Sequence, residues 1–212
     1  MLRPIYLQPG DKVALISPSG VATKEQLDAA CSLLTSWELE PVPGQHVLSR
    51  HGRLAGTDEE RLHDLQTALD AEDIRAIWCM AGDYGMLRIV QEADYSIFQG
   101  NPKWVIGMND ITVLHSKLHS LGIESLHAFM PSDYNTTSPE VVTQLRNFLF
   151  GIISSYAIPA HPFNRPGIVE TEMIGGMLQW VHNLTLASNG TRKGRSFSSR
   201  TRLTICTKLT GT

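Results

Sequence analysis

The chain has 212 residues, of which 42% are hydrophobic and 18% are charged, and this composition excludes collagen-like, disordered and disulfide-scaffold proteins. A formal charge of −3 does not indicate a nucleic-acid partner, and no apolar run approaches the length that spans a membrane. Three scattered cysteines and an N-terminus without a signal-peptide pattern predict a soluble protein of the cytoplasm.

Strand and helix patterns alternate along the first 150 residues. An apolar run at 12–17 predicts a buried strand, and apolar residues at helical spacing predict a helix over 23–37. Thr57 begins a capping box, which predicts the next helix. The later predictions are strands at 74–80, 104–106 and 126–130 and helices after the glycine turn 82–85, at 111–121 and at 139–150. This order indicates an α/β fold whose parallel sheet has helices on both faces.

Composition also predicts how the chain is divided. We expect residues 1–150 to form an N-terminal α/β domain, the proline-containing stretch 151–167 to be a linker, and residues 168–192 to begin a β-rich C-terminal domain that is truncated. Residues 1–172 hold 12 Lys/Arg and 21 Asp/Glu, whereas residues 173–212 hold six Lys/Arg and no carboxylate. Such an abrupt change in charge is typical of a tail, a linker or a foreign sequence.

Two predicted turns follow strands, where parallel sheets bind ligands. The turn at 81–85 lacks the glycine patterns of nucleotide sites, and a plain strand–helix connection explains it. The turn at 107–110 has the form of a nucleophile elbow with Asn109 at its centre. Asn tolerates left-handed backbone but carries no nucleophilic oxygen, so a capped helix start with Asp110 in its first turn explains the same residues.

Two isolated features have simpler interpretations. His115 and His119 are four residues apart, a spacing that binds metals on helices, but the sequence places no third ligand nearby. We therefore expect a solvent-facing pair and no metal site. Cys79 lies in a predicted buried strand and is expected to belong to the core.

Several stretches together resemble the serine LD-carboxypeptidases (muramoyltetrapeptide carboxypeptidases), a family that includes the microcin C self-immunity proteins. The resemblance runs from the N-terminus to about Arg192. The matching stretches are Gly10-Asp11 with the strand to Ser19, then 52–65, 74–90, 101–115, 125–131, 161–167 and 174–179.

The resemblance implies a nucleophilic serine in a Gly-x-Ser-Asp elbow, with a glutamate and a histidine from a C-terminal domain completing a Ser-His-Glu triad. The implied substrate is a murein tetrapeptide or related small peptide, cut at an L–D bond to release D-alanine without a metal or organic cofactor. Family members often form homodimers. The implied site residues are Asn109 at the nucleophile position, Asp110 and Asp83 as backbone oxyanion-hole donors, and Gly82, Tyr84, Gly85, Met108 and His127 as substrate contacts.

The chain departs from the family pattern at these positions. Asn109 replaces the serine, Ala81-Gly82-Asp83 stands where the family has Arg-Gly-Gly, and Ala128 replaces the glycine after His127. We therefore expect an inactive member of a carboxypeptidase family. The alternative is a protein that binds murein peptides without cleaving them.

The last twenty residues, 193–212, match nothing in the family. With permitted codons, a shifted reading frame of residues 194–211 reads KILFIEDASDNLYKIDR, which resembles the segment that should supply the triad glutamate. This agreement predicts that the tail is translated out of frame. It also explains why the tail is basic and has no acidic residue.

Overall fold

A computed structural model of the chain describes residues 1–152 and 175–180, and the backbone alone of 171–174, 196–198, 203–205 and 208–209. Its main sheet has six strands in the order β2-β1-β3-β4-β5-β8. The first five pair in parallel, and β8 pairs antiparallel with β5. These strands are β1 Lys12–Ile16, β2 Glu40–Pro43, β3 Ile74–Cys79, β4 Trp104–Gly107, β5 Leu126–Ala128 and β8 Leu203–Ile205.

Within residues 1–152, helices connect the parallel strands, as such a sheet requires, and one more helix follows the last of them. They are α1 Lys24–Ser36, α2 Asp58–Asp70, α3 Met86–Ile89, α4 Ser96–Gly100, α5 Thr112–Ser120 and α6 Pro139–Leu149. Capping boxes start α1 at Thr23 and α2 at Thr57. In the described part of the chain, no helix has the length and apolar character needed to cross a membrane.

Alternating strand residues build two cores, one on each face of the sheet. On β3, Ala76 and Trp78 pack with α1 and α6, whereas Ile77 and Cys79 pack on the opposite face with the four helices α2 to α5. All four side chains are fully buried. The prediction of a parallel sheet with helices on both faces is therefore confirmed, as is the placing of Cys79 in the core.

Several details of the fold differ from the sequence predictions. The sequence did not reveal β2, because its residues Glu-Pro-Val-Pro include two prolines that cannot donate backbone hydrogen bonds; such a strand is tolerated at the sheet edge that β2 occupies. The strand predicted at 126–130 ends at Ala128. The helix predicted from 111 begins at Thr112, after a short 3₁₀ turn at Asn109–Ile111.

The described part of the C-terminal region includes a second sheet with the order β7-β6-β9, formed by β6 Thr171–Gly175, β7 Ser196–Ser198 and β9 Lys208–Leu209. Just after β6, the Met177 N–H donates to Thr112 Oγ1 over 3.1 Å, so this region docks on the first residue of α5. The predicted linker lies outside the described residues from 153 onward, as do parts of the predicted second domain and tail.

Candidate active site

A strained turn connects β4 to α5. Met108 is extended, and Asn109 then adopts a left-handed backbone with a φ of 58° before the chain enters the 3₁₀ turn. A side chain at Gly107 would lie 2.9 Å from that of Ile111, so only glycine fits this close to the new helix. A strand, a left-handed residue and a helix in this order form the geometry of a nucleophile elbow.

The Asp110 carboxylate holds the facing loop in place. It is fully buried and accepts three hydrogen bonds: from Ser19 Oγ at 2.5 Å, from the Asp83 N–H at 3.1 Å and from the Met86 N–H at 3.0 Å. One side chain therefore joins the segments that follow β1, β3 and β4. These three donors compensate the cost of burying the charge.

Glycines let the same three segments approach each other. A Cβ at Gly20 would lie 2.7 Å from the Gly82 carbonyl oxygen, and a Cβ at Gly82 would lie 2.8 Å from the Cβ of Asn109. Neither position can hold a side chain without displacing backbone. The loops at 17–20, 81–85 and 107–110 thus form one closely packed cluster at the carboxyl ends of β1, β3 and β4.

The structure brings most of the predicted site residues into this cluster. Gly82, Asp83, Tyr84 and Gly85 form the loop opposite the elbow; Asp83 and Tyr84 are exposed and Asn109 is half-buried. Met108 immediately precedes Asn109 and is also half-buried. In this geometry the Asp83 N–H donates to Asp110. Its predicted role as an oxyanion donor would require that hydrogen bond to be exchanged, and the role stays a prediction.

Arg61 supports the 81–85 loop from α2, and sequence reasoning missed it. Its guanidinium is buried and donates to the carbonyl oxygens of Pro18 at 2.8 Å and Gly85 at 3.1 Å. It also pairs with Asp58, which in turn binds Arg88. The sequence did contain a signal for Arg61. It is a basic residue among acidic ones in the first turn of a predicted helix, and it lies within the stretch 52–65 that resembles the family.

The prediction that His115 and His119 face solvent is wrong, because both are buried. His115 lies directly behind the elbow, with Nε2 3.0 Å from the Gly107 carbonyl oxygen and Nδ1 2.9 Å from Ser125 Oγ. Since a carbonyl oxygen only accepts, Nε2 is assigned the proton and Nδ1 accepts from the serine hydroxyl. Burial, together with the neighbouring His127, lowers the pKa of His115 to about 3. This histidine is a neutral support of the turn.

His127 lies on β5 opposite Gly107. Its ring is buried 6.0 Å from the ring of His115, and neither ring nitrogen has a hydrogen-bond partner among the described residues. Burial lowers the pKa of His127 to about 4, so the ring is neutral near pH 7. The structure thus places it beneath the elbow, beside the α5 side chains, and its predicted contact with substrate stays a prediction.

Comparison with known proteins assigns this arrangement of loops to a protein family. Residues 13–128 match the sequence profile of the LD-carboxypeptidase N-terminal domain. The chain belongs to the LD-carboxypeptidase family. The matched region includes both loops, Arg61, Asp110 and the two histidines beneath the elbow.

Relatives agree with this assignment, and a solved structure shares the fold. The chain is 38% identical over 122 residues to the murein tetrapeptide carboxypeptidase of Pseudomonas aeruginosa, which covers 57% of this chain and 40% of the relative. It is 30% identical over 182 residues to a protein of Bacillus subtilis named "Probable murein peptide carboxypeptidase", covering 83% of this chain and 57% of the relative. The microcin C7 self immunity protein in its apo state has a similar fold, with a TM-score of 0.77 at 21% identity over 93% of this chain and 70% of that one.

The match does not extend over the full length of these relatives. The chain spans 60% or less of the length of the curated relatives that are at least 30% identical to it. The comparison with LD-carboxypeptidases therefore establishes the family of the chain and the fold of its N-terminal domain. At the nucleophile position implied by the resemblance, this chain presents the amide of Asn109, which cannot attack a carbonyl carbon.

Proposed function

We propose that this chain derives from an LD-carboxypeptidase that acts on murein tetrapeptides and that it has lost hydrolytic activity. The observation that carries the proposal is the left-handed residue of the elbow, which is Asn109. In a working enzyme of this type, the elbow holds a serine whose oxygen attacks the scissile carbonyl while backbone N–H groups stabilise the oxyanion. Asn109 occupies the elbow position implied for the nucleophile, but its side-chain amide has no nucleophilic oxygen.

Release of D-alanine from a murein tetrapeptide tests this proposal. We expect no release above the blank from the unchanged chain, because losing the nucleophile of a triad typically costs a factor of about 10⁶ in rate. We also expect Asn109→Ser alone to stay inactive, since residues 193–212, where the resemblance implies the triad glutamate, contain no carboxylate. Turnover by the unchanged chain would overturn the proposal, and turnover by Asn109→Ser would show that the triad partners are present.

A second candidate function is peptide binding without cleavage. It is favoured by the Asp110 hydrogen bonds, which keep the elbow and the 81–85 loop together even though the nucleophile is replaced. Isothermal titration calorimetry with a tetrapeptide and with the matching tripeptide separates the candidates. A binder should prefer the tetrapeptide, and a decayed enzyme should bind neither.

Asp83 offers a sharper version of the binding test. The family resemblance implies that the incoming peptide carboxylate lies beside residue 81, two positions before the exposed carboxylate of Asp83. Arg53 Nη2 lies 2.7 Å from Asp83, but both side chains are exposed, so this pair offsets the charge only weakly. If the cleft binds peptides, Asp83→Gly should raise tetrapeptide affinity by roughly threefold to tenfold, because a like charge is removed. The matched control is Asp73→Asn, which removes a surface carboxylate that pairs with Lys12 at the opposite ends of the strands.

We further propose that residues from about Lys193 are translated out of frame. Support comes from the shifted reading KILFIEDASDNLYKIDR, a run of family-like residues recovered from a stretch that otherwise matches nothing. Most of this stretch lies outside the described residues. Sequencing the coding DNA over codons 185–215 tests the proposal, and absence of the shifted frame there would refute it.

The cytoplasm is the compartment we propose for the chain, since murein peptides are recycled there in the family it resembles. Pairing of two copies is proposed on the same basis. Cell fractionation and light scattering on the purified chain test these two expectations. Recovery with the membrane fraction would contradict the first, and a monomeric mass at micromolar concentration would contradict the second.

A further inference from the structure

Three side chains with metal-ligand chemistry meet beyond the end of β2, outside the cleft described above. His46 follows β2, and His63 and Asp64 lie on α2. One ligand atom from each lies within 4.8 Å of the other two. Zinc bonds of about 2.0–2.2 Å place tetrahedral ligand atoms about 3.4 Å apart. The 3.5 Å between His63 Nδ1 and Asp64 Oδ1 already matches that spacing.

The present contacts of these groups leave their ligand atoms available. His63 Nδ1 to Asp64 Oδ1 and His46 Nδ1 to Glu60 Oε1 are both 3.5 Å, longer than an ordinary N–H···O hydrogen bond. Asp64 accepts from the His46 N–H through Oδ2 at 2.8 Å, which leaves Oδ1 facing His63. Three potential ligand atoms therefore lie close together, and neither of these two side-chain contacts is a strong hydrogen bond.

Charge and access favour a cation at this position. The Asp64 side chain is only 4% exposed, and the ion pairs of the described residues give it no Lys or Arg partner. A buried carboxylate without a cationic partner is costly, and a metal ion would remove that cost. A cavity of about 220 Å³ lies beside two of the three side chains, and its lining includes Gly44, Gln45, His63 and Asp64.

We propose that His46, His63 and Asp64 bind a divalent transition-metal ion of the Zn²⁺ type. Two imidazoles and one carboxylate suit zinc, whereas Ca²⁺ and Mg²⁺ prefer all-oxygen sites. The fourth ligand is water or Glu60, whose Oε1 lies 3.5 Å from His46 Nδ1 while its Oε2 accepts from the Thr57 N–H.

The bound ion would tie the segment that follows β2 to α2. Arg53, further along the same segment, pairs with Asp83 of the 81–85 loop. The ion therefore stabilises a part of the chain that borders the cleft, and it takes no part in peptide chemistry. The proposal is independent of the peptide function proposed above.

Zinc titration of the untagged, EDTA-treated chain tests this site. We expect saturable one-to-one binding with a rise in Tm, and we expect His63→Ala to weaken binding by about tenfold or more. His63 is half-exposed, so this variant should fold, and far-UV circular dichroism checks that it does. The control is His51→Ala, an exposed histidine outside the cluster.

Cobalt provides a second, spectroscopic test that does not depend on a loss of affinity. In the Co²⁺-loaded chain, His63→Cys should add a thiolate-to-metal charge-transfer band and His51→Cys should not, because only a coordinated sulfur gives that band. No saturable Zn²⁺ binding by the unchanged chain would overturn the proposal. Equal Zn²⁺ affinity in His63→Ala, or no new band in His63→Cys, would do the same.

Discussion

The carboxylate of Asp110 accepts the backbone N–H of Asp83 over 3.1 Å, so the residue that follows the elbow holds the loop that faces it. The same carboxylate binds Ser19 and the first residue of α3. A single buried charge thus determines how three separate segments meet at the cleft. Its removal should affect stability and cleft shape together.

Asp110→Asn should lower the free energy of unfolding by about 3 kcal/mol, because the new amide NH₂ must face backbone or hydroxyl donors that the carboxylate now accepts. Urea unfolding followed by circular dichroism measures the change. The control Asp73→Asn removes an exposed carboxylate and should stay within about 0.5 kcal/mol of the unchanged chain. A loss below about 1 kcal/mol in Asp110→Asn would show that other contacts hold the loops.

The left-handed backbone at the elbow predicts which of two substitutions of Asn109, glycine or alanine, gives the more stable protein. Asn109 and Glu38 are the non-glycine residues with positive φ in the described part of the chain, at 58° and 63°. Asn109→Gly should raise the free energy of unfolding relative to Asn109→Ala by about 1 kcal/mol, because only glycine adopts this region without cost. Glu38→Gly and Glu38→Ala provide the matched comparison at an exposed turn. Equal stability of the two Asn109 variants would indicate that the turn relaxes.

Burial of His115 predicts that stability falls in acid. Its folded pKa of about 3 lies below the ordinary value of 6.5, so the unfolded chain binds the proton more readily. The stabilising contribution is complete above pH 6.5 and is lost as the pH falls toward 3, by about 1.4 kcal/mol per pH unit. His127, with a folded pKa of about 4, contributes in the same direction.

Urea unfolding at several pH values isolates this effect. His115→Gln should reduce the slope of the unfolding free energy between pH 6 and pH 4 by about 1.4 kcal/mol per pH unit. The exposed residue His51, changed to Gln, should leave that slope in place. A slope unaltered in His115→Gln would mean that the ring titrates normally in the folded chain.

Replacement of Arg61 by lysine should destabilise the folded protein. A lysine ammonium is a point donor on a flexible stem and cannot serve the Pro18 and Gly85 carbonyls together with Asp58. Arg61→Lys should therefore lower the free energy of unfolding by about 2–4 kcal/mol. The exposed pair of Arg53 and Asp83 provides the control, since Arg53→Lys should change stability by less than about 0.5 kcal/mol. Similar effects of the two substitutions would contradict a supporting role for Arg61.

Local patterns were enough to predict most of the fold. Short apolar runs gave the buried strands around Ile77 and Val105, and the capping box at Thr57 gave the start of one helix. The edge strand β2 was missed because prolines remove the backbone donors on which a strand signal depends. Of the site, the elbow at 107–110 and the glycine loop at 82–85 were predictable, since both depend on backbone geometry that short stretches of sequence encode.

The sequence by itself determined the strand–turn–helix order and indicated a nucleophile elbow with Asn109 at its centre, because periodicity and turn chemistry are properties of neighbouring residues. Only the tertiary structure decided that Asp110 binds the opposite loop, that His115 is buried behind the elbow and that His46 meets Asp64. Each of these contacts joins residues from different elements. Their distances and burial depend on how the helices pack on the sheet, which no local pattern specifies.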